Sequence, residues 1–190
     1  MSYLKKDDLK EKESKNEKIL FLGLTQTGKT SIMKTFFEGM KTDETKSLEA
    51  TIKYDRKFYR FDDQELEIYD VGGQISYLEE IIEKSKEMIF SDVKVLIYVI
   101  DLPNLDTYQL SRQYLIRILK YVNLYSQDPK IYLFTHKMDL ISENFREEAL
   151  KIFKKYFKTV ELDKIKIFQT SIYENTSRNA MKEILSNNPS

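Results

Sequence analysis

The residues best suited to chemistry form one short run, Gly23-Leu24-Thr25-Gln26-Thr27-Gly28-Lys29-Thr30-Ser31. Its first eight positions fit the pattern G-x-x-x-x-G-K-[ST], and the apolar stretch Ile19-Leu20-Phe21-Leu22 leads directly into it. In that pattern the glycines let the backbone close tightly around an anion, and the positive end of the following helix dipole faces the same point. Lys29 is expected to reach the outer phosphates of a nucleotide, and the Thr30 hydroxyl to ligate Mg²⁺. Thr25, Gln26, Thr27, Gly28 and Ser31 complete the cradle. The chain has only five glycines, and four of them fall in two loops that follow apolar stretches.

The second of those loops is Asp70-Val71-Gly72-Gly73-Gln74, after the stretch Leu66-Glu67-Ile68-Tyr69. An aspartate at a strand end beside a phosphate loop can hold Mg²⁺ through water, the Gly73 N–H can contact a γ-phosphate, and Gln74 can orient an attacking water. A third group, His136-Lys137-Met138-Asp139, follows another apolar stretch. The Asp139 carboxylate can accept from the N1–H and N2–H₂ of guanine, which adenine lacks, while Lys137 can lay its aliphatic stem along the base. His136 opens this motif. With one histidine and no cysteine in the chain, it has no partner for a His/Cys metal site. Last, the backbone N–H groups of Ser171 and Ile172 can face guanine O6.

These groups need elements that bring them together. Short apolar runs at 19–22, 93–100, 131–134 and 165–168 predict buried parallel strands. Between them, Leu115, Ile118, Leu119 and Val122 line one face of a helix over about 107–125, and Ala149, Leu150, Phe153 and Phe157 do so over about 144–158. Asp62-Asp63 between extended stretches at 52–61 and 65–69 predicts a hairpin. The alternation implies an α/β fold, a six-stranded, mostly parallel sheet with helices on both faces, in which ligands bind at the carboxyl ends of the strands. Residues 1–17 are almost all polar or charged and read as a solvated N-terminal tail before a single domain at 18–190.

Composition removes several function classes. Lysine plus arginine equals aspartate plus glutamate at 31 each, so nothing in the net charge draws the chain to nucleic acid or to an acidic membrane. The absence of cysteine excludes disulfides, thiolate catalysis and cysteine-linked lipid anchors. The start, Met1-Ser2, lacks the glycine that myristoylation needs, and no apolar run is long enough to span a bilayer. A cytoplasmic location follows by elimination, with membrane contact only through partners.

Taken in order, the motifs resemble those of the Ras-like small GTPases over residues 18 to 186. Within that superfamily the chain is most similar to the Rag/Gtr GTPases of the RagA/RagB type. The resemblance is carried by Thr27-Gly28-Lys29-Thr30-Ser31, Ala50-Thr51-Ile52, Gly72-Gly73-Gln74, His136-Lys137-Met138-Asp139-Leu140 and Thr170-Ser171-Ile172. It implies a P-loop NTPase fold that binds GTP and GDP with Mg²⁺, held by Thr30, Asp70 and Thr51. Thr51 ranks ahead of Thr45 and Thr42 because it directly precedes a strand. It also implies slow hydrolysis assisted by Gln74 and by activating proteins, exchange by others, and a roadblock-domain protein in trans or a related GTPase as partner. Rag proteins continue into a C-terminal roadblock domain, whereas this chain ends at Ser190. Arf-like GTPases share Asp-Val-Gly-Gly-Gln but usually carry asparagine where His136 stands. Thr25 and Gln26 occupy loop positions where small residues are common, which keeps open a nucleotide-dependent binding module with negligible hydrolysis.

Overall fold

A computed structural model describes residues 16–187. The polar segment assigned to a tail lies outside these as far as residue 15, and its last residue, Glu17, instead opens the first strand, paired in register with Leu66. In chain order the strands are β1 (Glu17–Leu22), β2 (Tyr54–Phe61), β3 (Gln64–Val71), β4 (Val93–Asp101), β5 (Lys130–His136) and β6 (Lys166–Thr170). They form one sheet in the order β2-β3-β1-β4-β5-β6. Every pairing is parallel except the β2–β3 hairpin, which turns at Asp62-Asp63 as expected.

The strands alternate between two buried faces. Ile19, Phe21, Val95, Ile97 and Val99 pack with Ile32, Met33, Ala180, Met181 and Ile184 on the side covered by helices α1 (Lys29–Phe37) and α6 (Thr176–Ser186). Leu20, Leu22, Leu96, Tyr98 and Ile100 face the opposite layer. That layer is built by α4 (Tyr108–Tyr125), α5 (Glu143–Tyr156) and a segmented helix. The latter consists of α2 (Ile75–Glu80), a π-helical turn (Ile81–Ser85) and α3 (Lys86–Phe90). Burial on both faces is why these strands read as continuous apolar runs.

From β1 the chain crosses to β3 on one side and later to β4 on the other. That reversal opens a crevice at the carboxyl ends of β1 and β4, where open α/β sheets bind ligands. Among the described residues no helix is long and apolar enough to cross a membrane.

Candidate functional site

The loop between β1 and α1 is held by contacts only glycine permits. A Cβ on Gly23 would lie 2.2 Å from the Val99 carbonyl oxygen, and one on Gly28 would lie 2.7 Å from His136 Cδ2. Both residues also have positive φ, 142° and 97°, a region L side chains rarely adopt. Gln26 adopts φ 60° without that freedom, and with Thr25 it is exposed on the rim. Thr27 Oγ1 donates to the Leu24 carbonyl at 3.0 Å. Lys29 is buried, and its Nζ donates to the carbonyls of Gly23 and Leu24 at 2.9 and 2.8 Å. Burial lowers its pKa to about 8 although Asp70 pulls the other way, so an anion in the loop is the charge partner this cation calls for.

Three oxygens from distant segments meet beside the loop. Thr30 Oγ1 donates to Asp70 Oδ2 at 2.5 Å, Thr51 Oγ1 donates to the same oxygen at 3.2 Å, and the two hydroxyls are 2.9 Å apart. Asp70 Oδ1 is buried with no protein partner, and burial raises the carboxyl pKa above its usual range. The other candidate threonines are elsewhere: Thr45 Oγ1 is spent on the Thr42 carbonyl inside a 3₁₀ turn, Thr42–Ser47. The two loops touch. A Cβ on Gly73 would lie 2.2–2.4 Å from the Leu24-Thr25 backbone, and one on Gly72 would lie 2.4 Å from the Thr51 carbonyl oxygen.

The third motif lies at the ends of β5 and β6. His136 is buried, and its Nδ1 is 2.9 Å from Thr170 Oγ1. Its ring lies against Gly28, and burial, with Lys137 beside it, lowers its pKa to about 4. Lys137 has φ 64° and donates from Nζ to Asp101 Oδ2 at 2.8 Å. Asp139 follows, half-buried in a 3₁₀ turn, Met138–Leu140. Ser171 departs from expectation. Its N–H donates to Thr176 Oγ1 at 2.7 Å, because the ensuing turn folds back to start α6, so that N–H is already committed within the protein.

A cavity of about 350 Å³ joins these parts. Of the expected residues, Thr25, Gln26, Gly28, Lys29, Thr30, Ser31, Thr51, Gly73 and Lys137 line it, as do Thr45 and Lys46. Gln74 does not line it and is exposed at the start of α2. The sequence reading missed Asp101. The only signal for it was an acidic residue closing the apolar run at 93–100.

The sheet order, the glycine loop and the aligned strand-end motifs define a small GTPase with the α/β P-loop NTPase fold. More narrowly, the chain belongs to the Gtr1/RagA family: residues 18–187 match the Gtr1/RagA G protein conserved region. It is 30% identical over 174 residues to the GTP-binding protein GTR1 of Saccharomyces cerevisiae, covering 89% of this chain and 56% of that protein. It is 31% identical over 170 residues to the Ras-related GTP-binding protein A of Dictyostelium discoideum, covering 88% and 56%. The chain thus spans about half the length of these relatives. A solved structure of the Arl6 BBS3 small GTPase from Trypanosoma brucei, with the bound nucleotide analogue GppNp, shares the fold. Its TM-score is 0.66 at 16% identity, covering 92% of this chain and 99% of that one.

Proposed function

We propose that the chain binds GTP and GDP with Mg²⁺ in this cavity and acts as a molecular switch that hydrolyses GTP to GDP and phosphate. The observation that carries the reading is the meeting of Thr30, Thr51 and Asp70 beside a buried lysine. Hydroxyl and carboxylate oxygens are the donors a hard divalent cation prefers, and the buried, unpartnered Asp70 Oδ1 adds a further acceptor. Thr30, Thr51 and Asp70 would hold the ion, which when bound neutralises phosphate charge. Lys29 holds the outer phosphates. Asp139 accepts from guanine, Lys137 covers the base, and the N–H of Gly73 answers to the γ-phosphate.

The names of the two relatives describe GTP-binding proteins, and the family match favours the Rag/Gtr over the Arf-like reading. In this account the protein works in the cytoplasm with activating and exchange proteins. Its further partner is a related GTPase or a roadblock-domain protein. Exposed Gln74, with Thr25 and Gln26 on the rim, supports a second reading, a nucleotide-dependent binding module with little turnover.

Two measurements separate these readings. Purified protein should carry guanine nucleotide, released faster when EDTA removes magnesium, and Thr30→Ala should lose that magnesium dependence. Single-turnover assays should then convert bound GTP to GDP slowly. Copurifying adenine nucleotide, or release indifferent to EDTA, would contradict the site. Absence of turnover would favour the binding module.

A further inference from the structure

Asp101 sits at the carboxyl end of β4, nearly buried, outside the set of groups expected to touch a nucleotide. It is in register with His136 on β5, which is in register with Thr170 on β6. The Leu102 N–H donates to the His136 carbonyl at 3.2 Å, so the end of β4 is stitched to the residue just before Lys137. Lys137 then leaves the sheet with φ 64° and turns its side chain back, so that Nζ donates to Asp101 Oδ2 at 2.8 Å. The same lysine lines the cavity.

We infer that Asp101 is a positioning residue for nucleotide retention, acting through Lys137. The inference rests on the nucleotide-binding reading above. A lysine stem has several rotatable bonds, and an untethered one would have to be ordered each time a base entered. The carboxylate makes that ordering part of the folded protein. The two partners are not equivalent. The Asp101 side chain is 11% exposed and that of Lys137 is 28%. Deleting the aspartate leaves a lysine that can reach water, whereas deleting the lysine strands a buried carboxylate. Asp101→Ala therefore acts on nucleotide release, while Lys137→Ala acts on release and on thermal stability.

Release of a fluorescent GDP analogue from the parent chain, Asp101→Ala, Asp101→Asn, Lys137→Ala and the double Asp101→Ala/Lys137→Ala variant tests this. Loss of one charge-assisted hydrogen bond should speed release from Asp101→Ala about tenfold. Asp101→Asn, which keeps the shape and one hydrogen bond, should fall between, with a melting temperature close to the parent's. The double variant should release no faster than Lys137→Ala, because Asp101 acts only through that lysine. A parental release rate in both Asp101 variants, or effects that multiply in the double variant, would overturn the inference while leaving nucleotide binding intact. Failure of the parent chain to bind the analogue would overturn the binding reading, and this inference with it.

Discussion

The two glycine loops start alike and end differently. Each follows a buried strand and each leads into a helix. The first feeds α1, nine regular residues, and is locked by backbone contacts that a single methyl group would break. The second feeds six residues of α2, a π-helical turn and five residues of α3, with Gln74, Ile75 and Ser76 exposed at its start. Polar contacts from side chains hold that segment. Glu79 accepts from Tyr114 at 2.5 Å and from both terminal nitrogens of Arg117 at 2.6 and 2.8 Å, and Lys18 Nζ donates to the carbonyls of Met88 and Ser91 at 2.8 and 3.0 Å. Backbone packing suits a site that must keep one shape, and exchangeable polar contacts suit a segment that must respond to one. Irregular helical turns of this kind recur at functional sites.

The contrast makes the first loop the place where substitution costs most. Lys29→Ala should weaken GDP binding by about a hundredfold or more, since each charge-assisted hydrogen bond contributes about 1.5–3 kcal/mol. A fluorescent-GDP titration measures it, and parental affinity would break the contrast. Gln74→Leu should spare binding, because the side chain is exposed and off the cavity, yet slow single-turnover hydrolysis by at least about tenfold. An unchanged rate would assign water positioning elsewhere.

The smallest effect concerns the polar contacts of α2. Hydrogen bonds from Arg117 and then Tyr114 lower the Glu79 pKa to about 2, below its ordinary value of 4.5. A carboxyl group whose folded pKa is depressed contributes stability that is fully present above the unfolded pKa and is lost as pH falls through the folded one. The contribution should therefore fade between about pH 4.5 and 2. Both partners are more than a third exposed, which keeps it modest. In urea melts across that range, Arg117→Ala should show a shallower pH dependence than the parent. Identical slopes would show that this contact does not hold the helix.

How far the sequence reveals such features depends on the range of the interaction. The strands were legible because parallel burial writes continuous apolar runs, and the glycine loop because its conformation admits few other residues. Thr51 stood out from Thr42 and Thr45 only by preceding a strand, yet it alone of the three reaches Asp70. Asp101 was not legible as Lys137's partner, since the pairing arises from register between strands 36 residues apart. The use of the Ser171 N–H by Thr176 was equally hidden, because it depends on how one turn closes. In the 75–90 segment, apolar composition could not separate buried Leu78, Ile81, Ile82, Ile89 and Phe90 from half-exposed Ile75 and Met88.

The central claim is that this cavity reads guanine nucleotides through Asp139. Competition of GTP and ATP against fluorescent GDP on the parent chain tests it most directly. A site built on paired hydrogen bonds rejects an analogue lacking them by roughly 10⁴–10⁵. GTP should therefore displace the probe near stoichiometry and ATP only at vast excess, while Asp139→Asn should shift preference toward xanthosine nucleotides. Displacement by ATP as readily as by GTP would contradict the account.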